Sequence, residues 1–448
     1  MQSFRSEIEN PVVEKDILDL AKKIAQFKAG EIHEEKFRSL RLARGVYGQR
    51  QQGVQMIRIK LPYGKIQFHQ WKRISDISDE YSTGNLHLTT RQDIQIHYVS
   101  LDRTPELWAK LEQDEITLRE ACGNTVRNIT ASPTSGIDPK ELFDVSPHAD
   151  AAFRYFLRNP ICQEMGRKIK MSFSNTDEDT SLAYLHDVGF IPKIVNDERG
   201  FKVVVGGGLG AQPMLAHVAH EFLAENEVIP FIEAILRVFD RHGERNSRHK
   251  ARMKFLIQKI GFEAFMDLVK AESKALKNHS FEIPSATAWE VTPPTLVAST
   301  ESPNSEAYAT WLATNTFEQK QKGFHAVYVR ILNGNISSTT SRSLIEALTG
   351  YIGDDIRITI NQGLMLKYVP TANLAYVYSV LDAHGLAAPG ANSIANITAC
   401  PGTDTCNLAI SDSTNITSKL EAVITEEFPS LIHDSAMKIK ISGCMNAC

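Results

Sequence analysis

The sequence predicts an α+β protein built from one module used twice, and three observations lead there. The first is an internal repeat. VQMIRIKLPYG near residue 54 returns as AVYVRILNGNI near 326, and LTTRQDIQIHYV at 88 returns as ITINQGLMLKYVP at 358, matching Gln92 with Gln362 and Tyr98 with Tyr368. RNITASP at 127 returns as ANITACP at 395, and RKIKMSFSN at 167 as MKIKISGCMN at 437. The offsets stay between 268 and 272 residues, which chance would not maintain over four segments. The second observation is the order strand, helix, strand, helix within the first copy. The third is chemical divergence: the second copy carries Cys400 where the first has Ser132, and Cys444 where the first offers Ser174 or a neighbour. Two copies imply pseudo-twofold symmetry with a large ligand between them. The second copy holds the metal and the first contributes cations.

In chain order, residues 1–40 read as a helical extension, with amphipathic spacing at 17–24. Residues 41–112 form the first small α+β half. Val54, Met56, Ile57 and Ile59 mark a strand closed by the turn Pro62-Tyr63-Gly64, a helix spans 70–81, and a second strand runs from Leu86 to Val99, placing Arg91 in or at the end of a strand. Residues 113–290 form a larger mixed domain. It holds a polar loop from 122, a short strand at GRKIKMSFSN, a strand FKVVV entering a glycine loop, and helical patterns from Leu215 to about Lys277. A Pro/Ser/Thr-rich linker at 291–306 leads to the second small half, 307–388, and to a cluster-binding domain at 389–448. The first copy continues for roughly a hundred residues beyond its KIK strand. The second is therefore expected to be incomplete.

A length of 448 residues allows two or three domains with substantial cores. Charged residues make up 23 % and the formal net charge is −4, so no basic field points to nucleic acid. Nothing resembles a signal peptide or a membrane span, which leads to the expectation of a cytoplasmic protein with reduced thiols. Gly206-x-Gly208-x-x-Ala211 imitates a dinucleotide fingerprint, but no strand ending in an acid follows at the required distance. A glycine loop that lets backbone approach a large cofactor is the better reading.

Four of the six cysteines fall in the last fifty residues, as Cys400 with Cys406 and Cys444 with Cys448. Two close pairs of thiolates from two loops suit a polymetallic cluster. Zinc sites usually use two-residue gaps and often include histidine, and a disulfide framework is out of place in a long chain without a signal peptide. The other two, Cys122 and Cys162, are isolated and read as small buried hydrophobes.

The surrounding residues, C-x5-C followed by G-C-x-N-x-C, resemble the signature of the sulfite and nitrite reductase haemoproteins, and the likeness extends from about residue 40 to residue 448. The chain looks closest to the haemoprotein (beta) subunit of sulfite reductase. The resemblance implies paired ferredoxin-like halves, two larger sirohaem-binding domains, sirohaem, and a 4Fe-4S cluster held by Cys400, Cys406, Cys444 and Cys448. Cys448 is implied as the axial ligand that bridges cluster and sirohaem iron, with Asn446 beside it. It implies Arg91, Arg127, Lys168 and Lys170 around the distal face of sirohaem, where they bind and protonate a small oxyanion. Arg50, Arg58, Arg167, Arg245, Arg248 and Arg252 could pair with sirohaem carboxylates, and Gly207 and Gly208 could admit the macrocycle. Lys168 and Lys170 are two apart on a strand and so share a face, where like charges repel unless solvated or answered by an anion. The expected activity is six-electron reduction of sulfite to sulfide, with nitrite reduction to ammonia as the alternative. Electrons would come from a ferredoxin or a separate flavoprotein. A cofactor-free duplicated binding protein is the rival of another class.

Overall fold

The computed structural model describes residues 10–284, 293–297, 303 and 306–447. Most of the expected linker, the first nine residues and Cys448 therefore lie outside the described residues. The chain divides into two compact units, Met1–Leu118 with Val291–Cys448, and Arg119–Glu290.

In the first unit the two small halves form a pair of matching sheets. One runs in the order Val46–Gly48, Val54–Ile59, Ile94–Ser100, Asn85–Leu88 and Asn335–Ser337. The other runs Thr316–Glu318, Phe324–Val329, Leu364–Pro370, Ile356–Ile358 and Lys65–Ile66. Each half thus lends an edge strand to the other's sheet: Ile336 pairs with Leu86, and Ile66 with Ile356. The exchange protects one edge of each sheet and fixes their register. Helices Phe68–Tyr81 and Ser338–Leu348 pack together over a continuous apolar core that includes Trp71, Trp108 and Trp311.

Backbone strain repeats along with the sequence. Non-glycine residues with positive φ recur 270 positions apart as Tyr63 and Asn333, Gln92 and Gln362, and Tyr98 and Tyr368. Both tyrosines sit at a register shift, between Gln55 and Ile57 in one half and between His325 and Val327 in the other. The extra residue lies on the strand that carries the tyrosine, so His97 and Tyr98 together face the single residue Met56. Gly64 and Gly334 (φ 70° and 67°) close the preceding turns, and a Cβ there would lie 2.6 Å and 2.5 Å from the carbonyl oxygens of Ile358 and Leu88.

Two sequence expectations need correction. The stretch from Leu86 to Val99 is a hairpin of Asn85–Leu88 and Ile94–Ser100, not one strand. The hydroxyl of Thr89 accepts from the amides of Arg91 and Asp93, both at 3.2 Å, and so folds the turn without glycine or proline. The helical pattern assigned from Leu215 begins instead with a strand, His217–Ala224. It has two register shifts and is mostly solvent-facing, so it shows no clean alternation. Helices follow at Val228–His242, Met253–Ile260 and Phe262–Lys274.

The second unit carries a mixed sheet in the order His217–Ala224, Glu198–Val205, Val188–Val195, Met171–Phe173 and Thr130–Ala131. Its last two pairings are parallel. The parallel pair of Thr130–Ala131 with Met171–Phe173 recurs in the first unit as Thr398–Ala399 with Lys440–Ile441.

Candidate functional site

The cysteine centre is built by that second parallel pair. Cys400 follows strand Thr398–Ala399, and its amide donates to the Ile441 carbonyl at 3.1 Å. A single helical turn, Gly402–Thr405, separates it from Cys406, whose amide caps the turn on the Gly402 carbonyl. On the other strand the chain bends after Ile441, so that the Gly443 amide donates to Cys400 Sγ at 3.1 Å. Asn446 Nδ2 lies 3.4 Å from Cys444 Sγ. The fold therefore brings Cys444 to Cys400 across more than forty residues of sequence. N–H donors aimed at sulfur stabilise thiolates, the form that ligates iron, but among the described residues no three His, Cys, Asp or Glu side chains are grouped closely enough to hold a metal ion. Cys448 lies outside the described residues. Cys122 and Cys162 are buried in the second unit, as expected of small hydrophobes.

Arg50 holds this centre from the first half. Its amide donates to the Thr405 carbonyl at 2.8 Å, and its guanidinium to the carbonyls of Cys406 and Ala409 at 3.3 and 3.2 Å. Gln51 Nε2 adds a bond to the Asp404 carbonyl at 2.8 Å. Arg58 lies opposite Gln95 on the neighbouring strand, 4.0 Å from Asp93. Arg91 stands on the hairpin turn rather than within a strand.

In the second unit, Val126 and Ile169 form a parallel bridge, and the Arg127 amide donates to the Ile169 carbonyl at 3.0 Å. This sets Arg127 beside Lys168 and Lys170. The strand proper is shorter than expected, Met171–Phe173, and the lysines lie in its extended lead-in. Ile169 is fully buried, whereas both lysines are half-buried, so alternation gives them a common side. Carbonyls of Gly123 and Ala121 receive the Arg127 guanidinium at 3.0 and 3.4 Å and fix its direction. Arg167 is half-buried next to them, and Arg248 is exposed in a short turn, Arg248–Lys250.

Gly207 and Gly208 lie in the loop after strand Glu198–Val205, which leads into the antiparallel strand His217–Ala224 and not into a helix. A phosphate-cradling helix start is therefore absent from this loop. Its carbonyls instead receive Lys254 Nζ, at 3.1 Å from Gly208 and Leu209 and 2.5 Å from Gln212.

One feature was missed in the sequence. A cavity of about 50 Å³ lies against the Cys400–Cys406 loop in the first unit, lined by His87, His97, Asn335, Asp404 and Thr405 among others. His87 Nδ1 is 2.9 Å from Asn335 Oδ1. Burial lowers both histidines well below the ordinary imidazole value, His87 to about 4 and His97 to about 3, so both are neutral. The signal was available: once the hairpin is recognised, the two histidines fall on one face.

Residues 122–277 match the nitrite and sulphite reductase 4Fe-4S domain, and residues 47–114 and 317–384 each match the nitrite/sulfite reductase ferredoxin-like half domain. The chain is 27 % identical over 428 residues to sulfite reductase (ferredoxin) 1 of Mycolicibacterium paratuberculosis, covering 90 % of this chain and 72 % of the relative. It is 29 % identical over 427 residues to the assimilatory ferredoxin-dependent nitrite reductase of Haloferax mediterranei, covering 90 % and 70 %. The structure of the Mycobacterium tuberculosis NirA protein superimposes with a TM-score of 0.81 at 25 % identity, covering 96 % of this chain and 79 % of that one. Among the described residues no helix is long and apolar enough to cross a membrane. The chain belongs to the nitrite and sulphite reductase family, oxidoreductases whose cofactors are sirohaem and a 4Fe-4S cluster.

Proposed function

We propose that this chain reduces sulfite to sulfide in the cytoplasm, taking electrons from a ferredoxin or a flavoprotein. The observation that carries the choice of substrate is the pair Lys168 and Lys170 set beside Arg127 by the Val126–Ile169 bridge. When bound, sirohaem and the cluster would pass the donor's electrons to the substrate. The chain's own residues have to bind an oxyanion, stabilise charge on its oxygens and deliver protons as three of them leave as water. Arg127, held by two backbone carbonyls, suits clamping, whereas an ammonium group can also give up a proton. Arg91 is proposed as a further anion-contacting cation. Cys400, Cys406, Cys444 and Cys448 are proposed to hold the cluster, and Cys448 would also ligate sirohaem. Arg58, Arg167, Arg248, Gly207, Gly208 and Asn446 are proposed sirohaem contacts, and Arg50 joins them through the cluster loop it holds.

Nitrite is the competing substrate, supported by the likeness to the Haloferax nitrite reductase. Sulfite is the more negative anion and has three oxygens, so a second ammonium adds more to its transition state. Lys170→Asn retains a hydrogen-bond donor but neither the charge nor a transferable proton. It should lower kcat/KM for sulfite by about 1–3 kcal/mol, the scale of one charged hydrogen bond, and for nitrite by much less. Equal losses would remove Lys170 as the discriminator, and a larger loss for nitrite would reverse the choice of substrate.

A further inference from the structure

The second unit contains a buried ion pair, in which Arg252, a candidate partner of sirohaem carboxylates on sequence grounds, commits its guanidinium to Asp187. Asp187 is fully buried, and Arg252 meets it with two donors: Nη2 at 2.9 and 3.0 Å from the carboxylate oxygens, and Nε at 3.2 Å. Burying such a pair is costly unless its remaining hydrogen-bonding capacity is used. Here it is used on Lys170. The Lys170 amide donates to Asp187 Oδ2 at 2.8 Å, and the Asp187 amide returns a bond to the Lys170 carbonyl at 3.0 Å. Lys170 is thereby held on both its backbone polar groups by one residue. Arg252, immediately before helix Met253–Ile260, lies against the glycine loop, where a Cβ on Gly208 would stand 2.7 Å from Nη2. One function of that glycine is to leave room for the guanidinium.

We propose that Asp187 and Arg252 are positioning residues that hold the backbone of Lys170 so that its ammonium group meets the substrate anion. This rests on the reading of Lys170 as a substrate-contacting residue. The pairing has a second consequence: with its charge committed to Arg252, the Asp187 carboxylate does not draw the Lys170 ammonium away from the anion. Arg252 in turn is kept from competing for it.

The test combines kinetics of the holoenzyme with hydrogen exchange. Asp187→Asn still accepts a bond from one neighbour but no longer neutralises Arg252. It should lower sulfite turnover by about tenfold or more, the usual scale for misplacing a reacting group. Lys170→Ala should lower it further. The double variant should be no slower than Lys170→Ala alone, because both changes act through one ammonium group. Exchange of the segment 168–172 should be faster by about tenfold in Asp187→Asn, with helix Val228–His242 unchanged. Losses that multiply in the double variant, or unaltered exchange at 168–172, would overturn the proposal. Wild-type turnover in Lys170→Ala would instead sink the substrate reading, while the exchange data would still report whether Asp187 holds the segment. If Asp187→Asn does not fold, Arg252→Lys, which keeps the charge but not the two-pronged geometry, and Gly208→Ala, which crowds the guanidinium, should give the same pattern in milder form.

Discussion

Gln92 and Gln362 exchange hydrogen bonds across the pseudo-twofold axis. Gln92 Nε2 donates to the Ile358 carbonyl at 2.9 Å, and Gln362 Nε2 to the Leu88 carbonyl at 3.2 Å. The two carbonyls are themselves 270 residues apart, so the contact is isologous. Gln362 does one thing more: its Oε1 accepts from the Ala399 amide at 2.8 Å, next to Cys400.

Truncating either glutamine leaves a buried carbonyl without its donor. Gln92→Ala and Gln362→Ala should each lower stability by about 1–3 kcal/mol in denaturant titrations. Gln362→Ala should in addition speed loss of iron to a chelator, because it frees the strand that carries Cys400. Equal rates of iron loss in the two variants would show that the Ala399 bond does not support the centre.

His87 and His97 predict an acid limb. Their folded-state values, about 4 and about 3, lie below the unfolded value of 6.5, so below pH 6.5 the unfolded chain binds protons first. Stability should therefore be full above pH 6.5 and fall as pH drops toward 4, with a limiting slope of about 1.4 kcal/mol per pH unit for each histidine. His87→Asn should flatten the slope between pH 6.5 and 4. An unchanged slope in that variant would mean that other groups carry the acid sensitivity.

Arg50 ties the first half to the segment from Cys400 to Ala409 through its guanidinium as well as its backbone. Arg50→Ala should retain the fold and shorten the lifetime of the cluster in air severalfold, followed by loss of the visible absorption. A lifetime equal to wild type would assign the loop's order to its own turn, Gly402–Thr405.

A sulfur ligand set cannot be replaced by oxygen without loss of cluster affinity. Cys444→Ser should abolish acid-labile sulfide while helix Phe68–Tyr81 and its core remain folded. Full sulfide content in that variant would exclude Cys444 as a ligand.

The duplication was legible because strained positions restrict residue choice: glutamine and tyrosine recur where the backbone needs positive φ and a bulge. That the segments of Cys400 and Cys444 meet was legible through the repeat, and the Gly443 amide on Cys400 Sγ shows the approach. The hairpin at 85–100 was not, because its turn is closed by a threonine hydroxyl inside an apolar alternation that runs on unbroken. Nor was the exchange of edge strands Lys65–Ile66 and Asn335–Ser337, which depends on contacts between segments far apart in sequence. The copies also diverged where only tertiary structure aligns them. At the positions of His87 and His97 the second copy has Arg357 and Lys367, and Arg357 binds Asp355 at 2.5 Å.

The central claim, a sirohaem and 4Fe-4S enzyme acting on sulfite, is tested most directly by product stoichiometry. Anaerobic holoenzyme given a reduced viologen and limiting sulfite should release one sulfide for every six electrons consumed, with a higher kcat/KM than for nitrite. Electron consumption without sulfide, or a clear preference for nitrite with ammonia as product, would contradict it.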